Sequence, residues 1–249
     1  MSRPKQVHER VVSDLLQKIF NRNLKAGEKL PTEKELSKAM GVDRTTLRVA
    51  LKQLESMHLL EIRQGDGIYV KDYIKHAGVD FLSTLISLQD PGVDAMGMEE
   101  YLIDEAWGFW AFIFPEILKK AVPLMSTRHI SMFMELLHQE KKNIHDKDKL
   151  VVLGLAEQDL VAEVINNLVL SLLFNSSRPL RNKMLETFIH STDYSELETH
   201  VDNKTAMIRC FASGSIEEAY VYIDAFKTLL STHHQKVKHA LMIQKWGKA

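Results

Sequence analysis

The sequence predicts a mostly α-helical protein in two parts, a short front of three helices and one β-hairpin followed by a longer all-helical body. Three observations predict it. Apolar residues recur at helical spacing from Val7 to Met57 and again through most of the chain after Tyr73. One stretch, residues 59–70, breaks that period with β-branched and aromatic residues around a close pair of glycines. At 249 residues, 45% apolar and 26% charged, the chain has the composition of a globular protein and the length for two cores.

In the front, Val7, Val11, Val12, Leu15, Leu16 and Ile19 define a first amphipathic helix that ends near Asn21-Arg22-Asn23, and a loop runs from Leu24 to Pro31. Thr32 followed three residues on by Glu35 is a capping-box pattern, which starts a second helix over about 33–40. Gly41 supplies a sharp turn. Asp43 N-caps a third helix with Leu47, Ala50, Leu51, Leu54 and Met57 on its buried side, so its first turn presents Arg44, Thr45, Thr46 and Arg48 outward. Leu59–Arg63 and Ile68–Val70 then read as two strands around Gln64-Gly65-Asp66-Gly67.

Two short helices joined by a glycine turn, the second opening with Arg and Thr, form a helix-turn-helix, and the hairpin adds a wing. That arrangement places a recognition helix in the major groove of duplex DNA. Arginine can grip guanine O6 and N7, while threonines and helix amides hold phosphates. Arg63 and Gln64 near the wing tip can reach the minor groove or phosphates. Charge agrees in sign: residues 1–72 hold 14 Lys+Arg against 10 Asp+Glu, and the rest 18 against 23. The competing reading is a helical small-molecule-binding protein or enzyme whose front is a protein-protein module.

The run Leu30-Pro31-Thr32-Glu33-Lys34-Glu35-Leu36-Ser37, then Gly41 to Leu54, then Gly65-Asp66-Gly67-Ile68-Tyr69-Val70, resembles the head of the GntR family of bacterial transcriptional regulators. The resemblance implies operator contacts by Lys34, Arg44, Thr45, Thr46 and Arg48, with Gln64 and Gly65 at the wing tip. Lys34 stands where the family usually has Arg, which keeps a phosphate contact but loses bidentate geometry.

The body's periodicity predicts helices over 76–88, 97–119, 127–145, 148–174, 178–190, 194–213 and 215–240, a helical bundle. It resembles, through Gly78-Val79-Asp80-Phe81-Leu82, Asn167 to Asn175 and Phe211 to Ser215 with Ala219, the C-terminal domain of the FadR-type branch of that family. The implied division is a DNA-binding domain over 1–72 and an effector-binding, dimerisation domain over 73–249. It also implies a homodimer on a palindromic operator. Many members of that branch hold a divalent metal through one Asp and three His. The corresponding positions are Gly154, Gln158, Lys204 and Phe226, which cannot replace those ligands, so no metal and no cofactor are expected. Metal-free members include sensors of fatty acyl-CoA, which leaves an acyl-CoA, a fatty acid or another organic acid as the expected effector.

Tyr101 and Trp107, within an aromatic stretch that also holds Asp104, Glu105 and Trp110, are candidate pocket residues, although aromatics at helical spacing more commonly form core. The eleven histidines match no metal motif, and His233, His234 and His239 read as solvated near the C-terminus. Cys210 lies on an apolar helix face, where burial keeps a thiol inert, and no catalytic arrangement is visible. One cysteine, no apolar leader behind Met1-Ser2-Arg3-Pro4-Lys5, and no long apolar run point to the cytoplasm, with no membrane partner.

Overall fold

The computed structural model describes residues 6–87, 96–213 and 215–246. Met1 to Lys5, residue 88 of the helix expected over 76–88, and Gly214 of the Phe211–Ser215 motif lie outside it. The chain divides into two compact units, Met1–Val93 and Asp94–Ala249.

In the first unit, α1 (Val7–Phe20) buries Val11, Val12, Leu15, Leu16 and Ile19 of the stripe its spacing predicts, while Val7, in its first turn, stays exposed. α2 (Glu33–Met40) opens on the reciprocal capping box, with Glu35 N donating to Thr32 Oγ1 and Thr32 N donating to Glu35 Oε2 at 3.0 Å. Gly41 ends it at φ 64°, the left-handed conformation that glycine adopts without steric cost. α3 (Arg44–Ser56) is capped by Asp43, whose carboxylate accepts from Thr46 N at 2.9 Å. Leu47, Ala50, Leu51 and Leu54 of α3 are fully buried, and α3 packs on α1.

The wing pairs β1 (Leu60–Arg63) with β2 (Gly67–Val70) antiparallel, Leu60 opposite Val70 and Arg63 opposite Gly67. Gly65 turns the tip at φ 77°. The outer edge of β2 is also covered. Leu30 N donates to Ile68 O at 2.8 Å, Val70 N to Glu28 O at 2.9 Å, and Gly27 N to Val70 O at 2.8 Å. The stretch expected to be plain loop therefore shields a strand edge, which alternating apolar residues would have signalled and Glu28-Lys29 do not.

Beyond the wing, α4 (Tyr73–His76) and α5 (Val79–Ser87) stand where one helix over 76–88 was expected, because Ala77 is extended at ψ 153°. Phe20, Tyr73 and Phe81 form an aromatic trio, with centroids 5.5 to 6.4 Å apart, that ties both helices to α1. Such ring pairs contribute about 0.5–1.5 kcal/mol beyond their area.

The second unit is a helical bundle: α6 (Met96–Ala121), a 3₁₀ turn (Val122–Leu124), α7 (Thr127–Lys142), α8 (Lys147–Ile165), α9 (Leu168–Ser176), α10 (Arg178–Ser191), α11 (Tyr194–Ser213) and α12 (Ile216–Trp246). The helix expected over 148–174 is two helices. Asn166 caps α8 in the left-handed conformation at φ 51°, and Asn167 N-caps α9 by accepting from Leu170 N at 3.0 Å. α6 lies along α12, α8 along α10, and α7 along α11. Their inward faces share one core that includes Trp107, Trp110, Phe133, Phe188 and Ile223. Among the described residues the sole sheet is the two-stranded wing, and no helix is long and apolar enough to cross a membrane.

Candidate nucleic-acid interface and bundle cavity

The first turn of α3 carries the residues the sequence singled out. Arg44, Thr45 and Arg48 are exposed and Thr46 is half-buried. Their outward position follows from the fixed inward positions of Leu47, Ala50 and Leu51. No acid lies in the first turn of α3 itself, so its unpaired amides and partial positive charge face an approaching phosphate.

Not all of these groups are free. Thr46 Oγ1 donates to Asp43 Oδ2 at 2.6 Å and Thr46 N to Asp43 Oδ1, so this residue braces the cap. The Thr46 hydroxyl and amide together hold the Asp43 carboxyl below its ordinary range. Arg48 Nε donates to Glu33 Oε2 at 2.8 Å, which ties α3 to the start of α2 and leaves the two terminal nitrogens of the guanidinium facing outward. Lys34 is exposed on α2.

At the wing, Gln64 and Gly65 are exposed at the tip. Arg63 stacks on Tyr69, 4.3 Å from the ring centroid, and donates to Glu61 at 3.0 Å, so it is held along its own hairpin. Asp66 accepts from Lys29 Nζ at 3.1 Å and from Tyr69 Oη at 3.0 Å, which anchors the tip to the 27–30 edge.

The second feature is a cavity of about 110 Å³ inside the bundle, against roughly 10–15 Å³ for one water. Its walls are mainly aromatic and aliphatic. Trp107 lines it, whereas Tyr101, 56% exposed, does not. Gly154, Gln158, Lys204 and Phe226, the four positions matched to metal ligands, all line this one cavity. They do not fit a metal. Gly154 and Phe226 offer no donor, and the Lys204 ammonium lies between Glu140 Oε2 at 2.5 Å and Glu157 Oε2 at 2.7 Å. Among the described residues no three His, Cys, Asp or Glu side chains are grouped to hold an ion.

Burial, then the neighbouring Glu140 carboxylate, pushes Glu157 up to about 8, so at neutral pH it keeps its proton beside the Lys204–Glu140 pair. Arg181, 2% exposed, donates to Gln158 Oε1 at 2.8 Å, Asp159 Oδ1 at 2.8 Å and Phe174 O at 2.9 Å. Burial pushes His200 and His233 down, His233 to about 4, which leaves both rings neutral.

His233 corrects the expectation of solvated histidines: it is 2% exposed, because the chain continues as helix to Trp246 and packs this residue inward. His234, next to it, bonds Asp104 at 2.7 Å, and Lys238 bonds the same carboxylate at 3.0 Å. Glu140, Arg181 and His233 were missed as cavity residues. A signal for each exists in the sequence, since each continues an apolar stripe: Phe133, Leu137, Glu140; Arg181, Met184, Phe188; and Phe226, Leu230, His233. Cys210 is buried, and burial raises its thiol further, in line with an inert role.

A three-helix head with a hairpin wing and an exposed basic first turn on its third helix defines a winged helix-turn-helix. Residues 7–70 match the family model described as bacterial regulatory proteins, gntR family, and this N-terminal domain is a GntR-family helix-turn-helix domain. The chain is 40% identical over 83 residues to the HTH-type transcriptional regulator Mce2R of Mycobacterium tuberculosis, covering 33% of this chain and 33% of that protein. It is 38% identical over 79 residues to the fatty acid metabolism regulator protein of Edwardsiella ictaluri, covering 32% and 33%. The match thus spans about a third of the length of these relatives. Among solved structures, Lar, described as controlling the expression of the Listeria monocytogenes agr system and mediating virulence, matches 94% of this chain and 99% of its own. Its TM-score is 0.51 at 17% identity, a likeness of fold.

Proposed function

We propose that this protein is a homodimeric transcriptional regulator that binds duplex operator DNA through the head and a small-molecule effector in the bundle cavity. The observation that carries the reading is the exposed first turn of α3, with Arg44, Thr45 and Arg48 on a GntR-family head. Arg44 and the terminal nitrogens of Arg48 read bases. Thr45, Lys34, Gln64 and the Gly65 amide meet phosphates or the wing-side groove, and Thr46 holds the cap that aims them. Two such heads related by a two-fold axis suit a palindrome. α9 supports self-association, since Leu168, Val169, Leu172 and Leu173 are 48 to 73% exposed, more apolar surface than a lone helix normally leaves in water.

The bundle holds a small-molecule effector; the family resemblance implies an acyl-CoA, a fatty acid or another organic acid, whereas the already paired Lys204 and Arg181 of the cavity wall favour an uncharged one. The effector changes operator affinity only through unequal affinity for two arrangements of the dimer. The protein works in the cytoplasm, where its operator is.

A gel shift on the DNA upstream of its own coding region, across a salt series, tests this. Neutralised phosphates make affinity fall steeply with salt, and the complex should contain two chains per palindrome. Absence of a shift at low salt would favour a protein-protein role for the head.

A further inference from the structure

The ionic groups in the cavity wall are matched among themselves. Lys204 is held by Glu140 and Glu157, and Arg181 by Asp159, Gln158 and a backbone carbonyl. Arg181 Nε lacks a partner in a group whose charge Asp159 already meets, and Glu157 Oε1 lacks one in a carboxyl that keeps its proton and is bonded to Lys204 through its other oxygen. Among the described residues, the other buried side-chain polar atoms without a protein partner belong to neutral rings: Trp107 Nε1, His200 Nδ1 and His233 Nδ1. Trp107 and His233 are 3% and 2% exposed. All three rings surround Phe188, with centroids at 5.9 Å for Trp107, 5.7 Å for His200 and 4.2 Å for His233. An indole N–H only donates, and a neutral imidazole keeps one donor and one acceptor. Buried polar atoms of this kind are normally satisfied in the state in which a protein works.

Resting on the effector reading above, we infer that the cavity takes an uncharged molecule with an apolar body and a hydrogen-bond-accepting oxygen, such as an alcohol, ketone, ester or lactone. The oxygen sits against Trp107, His200 and His233, and the body lies along the aromatic and methionine wall around Trp110, Phe114 and Met184. A carboxylate would reach Lys204 only in competition with Glu140, and an ammonium would meet only the protonated Glu157 beside Lys204. A charge carried into an apolar site without a free counter-charge pays its desolvation uncompensated.

The test is calorimetric titration of the full chain at pH 7 without DNA. Two matched series serve as probes: 2-phenylethanol, phenylacetate and 2-phenylethylamine, then 1-octanol, octanoate and octylamine. In any series that binds, the alcohol should bind at least about ten-fold tighter than its acid or amine, a difference of about 1.4 kcal/mol. Trp107→Phe and His233→Phe keep aromatic packing and should each weaken 2-phenylethanol about ten-fold while leaving ethylbenzene, which has no oxygen, unchanged. The inference is overturned by an acid or amine that matches its alcohol, by no binding in either series, or by variants that treat alcohol and ethylbenzene alike. An alcohol that binds but leaves the operator gel shift unchanged counts against the effector reading and leaves the ligand class standing.

Discussion

Arg44 and Arg48 stand one helical turn apart in different circumstances. Arg44 makes no ion pair among the described residues, whereas Arg48 is aimed by Glu33 through its Nε. Either arginine, placed bidentate on a guanine, is worth about 1–3 kcal/mol of base discrimination. Arg44→Ala and Arg48→Ala should therefore each weaken specific operator binding by about ten-fold to a hundred-fold with unchanged melting temperature. Arg48→Ala should also weaken non-specific binding the more, because it strips Glu33 of its partner and leaves a carboxylate near phosphate. Fluorescence anisotropy with operator and scrambled duplexes measures both, and unchanged operator affinity in the two variants would remove α3 from the role. Thr46 differs from its neighbours: with its hydroxyl proton given to Asp43, its loss acts on the aim of the helix before it acts on a phosphate.

Elements whose limits are written in neighbouring residues were legible in the sequence. Thr32 with Glu35, Gly41 and Asp43 fix α2 and α3 within a turn of chain, and the head's helices fall where those residues put them. The break between α8 and α9 is as local, yet the sequence does not announce it, because the apolar period continues across Asn166-Asn167 and asparagine alone is a weak stop. Asn166 pays for its left-handed backbone, so Asn166→Gly should leave stability equal or raise it by a few tenths of a kcal/mol. Asn166→Ala should cost about 1 kcal/mol. Urea unfolding followed by circular dichroism separates the two, and equal midpoints would deny that backbone conformation sets this joint. The cavity was far less legible. Its ion cluster joins residues 64 and 47 positions apart, and only the packing of α7, α8 and α11 shows that they meet.

For the whole molecule, the buried groups of the cavity set how stability responds to pH. His233 in the folded chain resists protonation until about pH 4, while the unfolded chain takes up that proton near 6.5. Its contribution is thus present above about 6.5 and is lost as pH falls toward 4, by about 3 kcal/mol at the limit. Glu157 runs the other way: folded, it keeps its proton up to about pH 8, so its contribution is present below about 4.5 and is lost as pH rises through 8. Between about pH 4.5 and 6.5 the two slopes oppose and nearly cancel, so in unfolding free energies across pH 4 to 8.5 Glu157→Gln should expose the acid limb as a rise with pH, and His233→Phe should remove it and leave a fall. An acid limb of equal slope in His233→Phe would place its origin elsewhere.

His233 and His234 are neighbours in the chain that answer to different masters, one facing the cavity and the other clasping Asp104 across to α6. A helix turns by about 100° per residue, so deleting one residue between Ile216 and His233 would seat His234 in the cavity, turn His233 out to the exposed place of Thr232 and leave Gln235 where the clasp stood. Among descendants of this sequence that segment should tolerate substitutions but keep its length. The spacing of the helix, as much as the identity of its histidines, is what inheritance has to conserve.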